Sequence, residues 1–191
     1  MTNKGKILQA LNYLAFKQDD KKISEMKAYK LLWLADRYHL RQYGRTITHD
    51  QYYALPHGIV PSIAKQIVDG KDYTIECGKY LNTGIRYYFK SIKEPDRTFF
   101  SESDIDVLEL ILSKYGNFSS RKLSDLSHKF PEWIRFEKKL TTENTKKSYR
   151  INLADFFLNY DGGQGLFNDD EEFLSISLIP QHLDLTLFIS S

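Results

Sequence analysis

The sequence predicts an α+β fold that is predominantly helical, with a helical core, a small antiparallel β-sheet and a C-terminal β-hairpin. The spacing of apolar residues along the chain indicates this fold class. Apolar residues recur every third or fourth position over most of residues 5–68 and 103–130, which is typical of amphipathic helices. They alternate with polar residues within residues 73–92 and 183–190, which is typical of strands.

A chain of 191 residues is long enough for one domain with its own core and a short appendage. We expect a helical domain over residues 1–165, with a small β-hairpin at about residues 73–92 inside it. The run Asp161-Gly-Gly-Gln-Gly165 is interpreted as a linker, and residues 166–191 as a strand pair packed on the domain. The alternative is that this pair offers an exposed apolar edge to a partner.

Composition limits the classes of function. With 41% hydrophobic and 27% charged residues, the chain resembles an ordinary soluble globular protein. Its 13 tyrosines suit both wet cores and interaction surfaces. The net charge is only +2 and acids interleave with bases, so the basic stripe of a DNA-binding domain is missing and nucleic acid is not the expected partner.

The single cysteine, Cys77, excludes an internal disulfide and a cysteine-based zinc site, and it suits a reducing cytosol. No window approaches the roughly 18 apolar residues of a membrane span. We therefore expect a cytoplasmic protein without a membrane segment and without a cofactor.

The first half of the chain predicts three helices and an intervening loop. Ile7 to Ala15 carry one apolar face that ends near Lys17. Ser24 is placed to cap a long central helix that Gly44 ends. We expect the following in order: a loop from Thr46 to Leu55, a turn from Pro56 to Pro61, and a helix from Pro61 to Val68.

The second half predicts two strands and further helices. The strands are Tyr73–Cys77 and Ile85–Lys90 around a turn at Asn82-Thr83-Gly84, with Ile85, Tyr87 and Phe89 on one side. A first helix is expected to begin at a capping box of Ser103 and Asp106 and to end at Tyr115-Gly116. A second begins at Ser119 or Ser120 and stops at Phe130-Pro131. A last short helix runs from Leu153 to Leu158 with Asn152 as its cap. Residues 132–147 are expected to be a loop with a helical turn.

Several acids and imidazoles of this sequence are candidates for chemistry: Asp36, His39, His49, Asp50, His57 and His128. Such side chains suit transition metals, but no His-Glu-x-x-His frame is present. We interpret four of them as a structural polar network that ties helix to loop, namely Asp36, His39, Asp50 and His128. A metal-dependent or acid–base enzyme that uses Asp36, His39 and Asp50 stays open as an alternative, although no P-loop, nucleophile elbow or dinucleotide fingerprint accompanies them.

Two further sets of residues carry alternatives of their own. Arg37 and Arg41 on the central helix, with Arg45 just after its end, could bind phosphate or an acidic partner, but a solvated helix face is the favoured interpretation. Trp133, with His128, is either a lid on the core or a hot spot for a partner, and the core is favoured.

One family resemblance rests on many residue types in a fixed order. The matching residues are Lys30 to Leu32, Leu34 to Asp36, Tyr38 to Arg41, Tyr43 to Arg45, Ile47, Thr48, Asp50, Tyr52, Ala54, Gly58, Val60 and Pro61, followed downstream by Leu126-Ser127-His128 and Trp133. This pattern resembles the Panacea domain, also described as SocA-like, over roughly residues 5–135. The chain departs from it at His49, where the family has glycine, and at His57 and Ile59, where an aromatic residue and a proline are usual.

The resemblance implies a function. Panacea-domain proteins, some of them phage-associated, look like antitoxins that neutralise a toxin by direct protein–protein binding, and a SocA-like member also acts as a proteolytic adaptor to a Clp-type protease. It implies a cognate toxin as the partner and no turnover. We expect the partner-binding face to use Arg37, Arg41, Arg45, Tyr52, His57 and Trp133. A DNA-binding regulator remains a further alternative. The sequence predicts no oligomeric state.

Overall fold

The computed structural model of the chain describes residues 4–71, 77–142 and 148–159. Within them lie six α-helices: α1 (Lys4–Phe16), α2 (Glu25–Tyr43), α3 (Ser62–Val68), α4 (Glu102–Tyr115), α5 (Ser120–Ser127) and α6 (Pro131–Thr142). The strands of this part of the chain are β1 (Lys22–Ser24), β2 (Tyr52–Leu55), β3 (Gly58–Pro61), β4 (Leu81–Ile85), β5 (Tyr88–Ser91) and β6 (Tyr149–Arg150). The predicted α+β, predominantly helical fold class is confirmed.

Helix α2 is the element around which the others pack. Ser24 Oγ accepts from the Lys27 N–H at 3.3 Å, and Gly44, with φ of 71°, ends the helix in the left-handed region, as the sequence predicts. Leu31 to Ala35 are completely buried, so the middle of the helix is covered on all sides by α1, α3, α4, α5 and β3. A helix that is buried all round lies in the core rather than at the surface.

Two small antiparallel sheets flank the helices. One has the strand order β1-β5-β4, and the other has the order β3-β2-β6. In the second sheet the hairpin partners are Tyr53 and Val60, while Tyr53 also lies opposite Arg150 on the other side. Strand β2 is therefore a central strand only because residues 149–150 pair with it.

The ends of several helices agree with the sequence. Helices α1, α3 and α5 lie where they were predicted, with Ser119 as the cap of α5, and Asn152 caps a 3-10 turn at Leu153–Phe157. The capping box of α4 lies two residues earlier than predicted, on Ser101 and Asp104 rather than on Ser103 and Asp106.

Four predicted loops or turns are wrong. In the turn expected from Pro56 to Pro61, residues Gly58–Pro61 form the strand β3. Residues 52–55, expected in a loop, form β2, and residues 131–142 form the long helix α6 instead of a loop. The hairpin of β4 and β5 turns at Arg86-Tyr87, because Asn82 to Gly84 lie inside β4 at an irregularity of the strand pairing. Tyr87 is consequently exposed, with φ of 63°, and does not share the buried side of Phe89.

Some predictions lie outside the described residues. These are most of the first predicted strand (residues 73–76), the linker at residues 161–165 and the strand pair at residues 166–191. Cys77, the last residue of that predicted strand, begins a 3-10 turn. None of the helices in the described part of the chain has the length and apolar character that crossing a membrane requires.

Candidate functional site

The Asp36 carboxylate is a buried acceptor saturated by the loop that follows its helix. Its Oδ1 accepts the backbone N–H groups of Ile47 at 2.8 Å and Thr48 at 3.0 Å. Its Oδ2 accepts the Tyr52 hydroxyl at 2.7 Å and the Thr48 hydroxyl. Complete burial nevertheless raises the pKa of Asp36 to about 6, against the opposing effect of these hydrogen bonds.

The Asp50 carboxylate, later in the same loop, also accepts backbone N–H groups. It accepts the N–H groups of Ile63 at 2.9 Å and Ala64 at 2.8 Å, the first turn of α3. Since the N-cap residue of α3 is a proline without a side-chain hydrogen bond, Asp50 supplies the cap from a distance. The Thr48 hydroxyl donates to Asp36 and accepts from the Asp50 N–H, so the two acids belong to one network.

His39 lies in a different cluster. Its Nδ1 is 2.7 Å from the Arg45 carbonyl oxygen, and its Nε2 is 3.2 Å from Asp104 Oδ1 on α4. Asp104 also pairs with Lys6 at 2.6 Å and with Arg45 at 2.9 Å. Burial would raise the pKa of Asp104, but the bonds from Lys6 and Ser101 outweigh it and hold that pKa below its usual range. The structure therefore separates His39 from the Asp36–Asp50 network.

The arginines of α2 point inward, so the expected solvated helix face is wrong. Arg37 is 1% exposed, donates to Glu132 Oε1 at 3.0 Å and donates to the Leu158 carbonyl oxygen at 2.6 Å. Arg41 donates to the Phe156 carbonyl oxygen at 3.0 Å and to Asn159 Oδ1 at 2.9 Å. The charges that seemed available for phosphate are engaged with α6 and with residues 156–159 of the same chain.

Glu132 completes this buried junction between α2 and α6. It accepts from Trp33 Nε1 at 3.2 Å as well as from Arg37, and it is fully buried. Burial raises the pKa of Glu132 in spite of the attraction of Arg37. Sequence reasoning missed this pair because its members are 95 positions apart.

A buried amine lies under the β2–β3 turn. Lys30 is completely buried, its Nζ donates to the Ile59 carbonyl oxygen at 2.6 Å, and burial lowers its pKa to about 7. Gly58, with φ of 95°, lets the turn approach this amine, because a Cβ there would overlap Ser127 Oγ and lie 2.8 Å from Lys30 Nζ.

The surface opens into a cleft of about 420 Å³, lined mostly by polar residues and called the polar cleft below, between α5, the start of α2 and the β2–β3 turn. Its lining residues are Met26, His57, Ser120, Arg121, Ser124, Asp125 and His128. The α5 residues among them recur on one helical face. Two imidazoles and a guanidinium against one carboxylate make the cleft suited to an acidic or hydrogen-bonding group.

Trp133 is buried behind His128, one of the residues that line the cleft. Its ring stacks on His128 with centroids 3.9 Å apart, and its Nε1 donates to the Leu55 carbonyl oxygen at 2.9 Å. His128 Nε2 is buried and has no hydrogen-bond partner among the described residues. The structure thus brings His57, His128 and Trp133 together, whereas Arg37, Arg41 and Tyr52 are buried elsewhere in the core.

Exposed tyrosines lie next to the same cleft. The Tyr87 carbonyl oxygen accepts the Glu25 N–H at 3.0 Å, one residue before Met26, and Ser24 Oγ lies 2.6 Å from the cleft residue Ser120. Tyr87 is 64% exposed and Tyr88 is 42% exposed. Sequence reasoning placed Tyr87 inside a strand, and the turn at Arg86-Tyr87 could have been found only from the strand register.

Comparison with known proteins gives one match. The model of the family described as "Antitoxin SocA-like, Panacea domain" matches residues 29–134, which is more than half of the chain. The chain belongs to this family. No curated protein and no solved structure was found to match it.

The Panacea match runs from within α2 to the start of α6, so it contains the Asp36–Asp50 network, both arginines of the buried junction and all of the cleft residues except Met26. At His49, where the resemblance leads us to expect glycine, the backbone φ is 54°, the left-handed region that glycine adopts most easily. Within the described residues, no group of three or more His, Cys, Asp or Glu side chains is arranged to hold a metal ion.

Proposed function

We propose that this Panacea-domain chain is the antitoxin of a bacterial or phage toxin–antitoxin system and that it neutralises a cognate toxin by direct binding in the cytoplasm. The family match supports the antitoxin role in general. The observation that supports a binding rather than a catalytic mechanism is the hydrogen bonding of two acids. The carboxylate oxygens of Asp36 and Asp50 accept from backbone N–H and hydroxyl groups of the following loop and of the start of α3. Groups used in this way hold a surface in place rather than act on a substrate.

We place the toxin-binding face at the polar cleft and the adjacent tyrosine turn. His57 is the exposed member of the partner-binding set that lines this cleft, and Trp133 supports it through His128. Tyr and Arg, which lie at and beside this cleft, are among the residue types most enriched at interface hot spots. Three members of the predicted set are buried and contribute by holding α2 and the following loop in place: Arg37, Arg41 and Tyr52. Arg45 is about one-third exposed and forms an ion pair with Asp104.

The two alternatives are less well supported. An enzyme using Asp36, His39 and Asp50 needs them in one open pocket, but His39 belongs to the Asp104 cluster and all three are buried. A DNA-binding regulator needs free cations in a stripe, and both arginines of α2, Arg37 and Arg41, donate to carbonyl oxygens of residues 156–158.

The adaptor role is a separate part of the proposal and rests on the family resemblance. If the chain delivers its toxin to a Clp-type protease, the toxin's lifetime in cells should shorten when the chain is present and lengthen again when the protease is deleted. Neutralisation without a change in the toxin's lifetime would limit the function to occlusion.

The binding face is tested by a pair of neighbouring substitutions on α5. The chain is co-expressed with the protein of the neighbouring reading frame, and growth and co-purification are scored. Arg121→Glu reverses a charge inside the cleft and should weaken the complex by about tenfold or more. Lys122→Glu makes the same change one residue away, over the Phe118 ring, and should leave binding within about twofold.

Equal effects of the two substitutions would remove the cleft from the interface. A neighbour that is harmless on its own and does not bind the chain would overturn the antitoxin proposal itself.

A further inference from the structure

Residues 148–159 lie on the family domain in the manner of a bound peptide. Tyr149 and Arg150 add a strand to β2, and the Ile151 N–H donates to the Tyr52 carbonyl oxygen at 2.9 Å. Without this segment the backbone groups of β2 on that side would be an open sheet edge. Strand addition to such an edge is a common way in which domains bind extended peptides.

The segment inserts one aromatic anchor. Phe156 is completely buried, and its ring centroid lies 5.6 Å from that of Tyr52. Leu158, two residues on, is 46% exposed and contributes mainly its carbonyl oxygen. Ile151 is also buried and Phe157 packs partly against the core, so the groove holds several side chains of the segment and leaves Leu158 largely in solvent.

Charged side chains of the domain hold the segment's main chain. Arg41 donates to the Phe156 carbonyl oxygen and Arg37 to that of Leu158, while Arg135 pairs with the Asp155 carboxylate at 2.6 Å. A guanidinium that binds a backbone carbonyl oxygen contacts the main chain whatever the side chains are, and here the Phe156 carbonyl is presented by the 3-10 turn at Leu153–Phe157. Together with the strand pairing, these contacts cover the segment from Tyr149 to Asn159.

The groove and the segment also fall on opposite sides of the family boundary. Arg37, Arg41 and Tyr52 lie within residues 29–134, whereas the segment begins 14 residues after the match ends. We infer that this domain has a peptide-binding groove, formed by the β2 edge, Tyr52, Arg37 and Arg41, which residues 148–159 fill as a ligand within the same chain. The ligand class is a peptide that first pairs as a short strand and then forms a 3-10 turn, with an acidic residue directly before a buried aromatic residue.

This inference is independent of the toxin and has its own experiment. A protease cleavage site is placed within residues 143–147 of the full chain, and the purified protein is cut there. A fluorescent synthetic peptide with the sequence of residues 148–159 is then added in excess, and its binding to the large fragment is followed by anisotropy and gel filtration. The labelled peptide should replace the original segment while the large fragment stays folded.

Two matched peptides sharpen the test. The Phe156→Ala peptide loses the buried anchor and should bind about 100-fold more weakly. The Leu158→Ala peptide removes an exposed apolar side chain but keeps both carbonyl contacts, so it should bind within about threefold of the parent. Unfolding of the large fragment after cutting, failure of the peptide to exchange, or equal binding of the two variants would each overturn the inference.

Discussion

At Gly58 the absence of a Cβ atom allows the β2–β3 turn, which borders the cleft, to lie close to α2 and α5. The φ of 95° at Gly58 and the closeness of this residue to Ser127 Oγ and Lys30 Nζ place the β2–β3 turn directly on α2 and α5. Replacing the hydrogen by a methyl group therefore introduces both backbone strain and overlap.

We predict that Gly58→Ala lowers the free energy of unfolding by about 2–4 kcal/mol. Gly70→Ala is the matched control, because Gly70 also has positive φ, 67°, but its Cβ would meet nothing within 4 Å. It should cost only about 1 kcal/mol. Urea unfolding of both variants measures the difference, and equal losses would show that overlap with Ser127 and Lys30 is unimportant.

Lys30 provides a pH dependence with a defined sign. Its pKa of about 7 in the fold lies below the ordinary lysine value of 10.5, so the unfolded chain binds more protons between these limits. Stability should therefore rise with pH, by about 2 kcal/mol between pH 7 and pH 9. Lys30→Met should remove this rise, whereas Lys65→Met, at an exposed lysine, should keep it. A rise that persists in Lys30→Met would assign the effect to another group.

At the level of elements, α6 is joined to α2 by a buried ion pair rather than by apolar packing alone. Arg37→Met leaves the Glu132 carboxylate buried without its cation and should cost about 3–5 kcal/mol. Glu132→Gln in the same chain removes the unpaired charge but keeps an acceptor for Trp33 Nε1.

The double variant should consequently be more stable than Arg37→Met by about 1 kcal/mol or more. Thermal and urea unfolding of the two single variants and the double variant form the necessary cycle. Additive losses would contradict a direct interaction between the two side chains.

The elements that could be predicted are those whose signals are local. Ser24, Gly44 and the apolar stripe between them define α2 without reference to the rest of the chain. The start of α4 was ambiguous because two overlapping Ser-x-x-Asp patterns compete, at Ser101 and at Ser103. The fold selects Ser101, since its partner Asp104 also meets Lys6 and Arg45 from distant elements.

The missed elements depend on distant partners. Helix α6 carries so much charge that it resembles a loop, yet Trp133, Phe136 and Leu140 share one face and pack on the core. Pro131, interpreted as a stop for α5, is the first residue of α6. Strand β2 has only four residues and becomes central through β6, nearly 100 positions away.

The sequence predicted which residues belong to the candidate site but not how they are arranged in space. Local spacing pointed to Asp36, Asp50, His57, His128 and Trp133, but it could not assign them to a core network and an open cleft. The inward direction of Arg37 and Arg41 depends on residues 156–159, more than 100 positions further on, which no local pattern indicates.

At the scale of the whole molecule, Arg37 and Arg41 are used inside the fold, and the described surface offers a polar cleft with exposed tyrosines next to it. This division agrees with the proposed binding of another protein at the cleft.

The central claim is tested most directly by titrating the activity of the neighbouring reading frame's protein with this purified chain. Neutralisation by occlusion predicts that activity falls in proportion to added chain, reaches its end point at a fixed whole-number ratio, and returns when the complex is diluted or denatured and separated. Progressive loss of activity with much less than one equivalent of chain, or loss that persists after separation, would show that the chain modifies its target and would contradict the account.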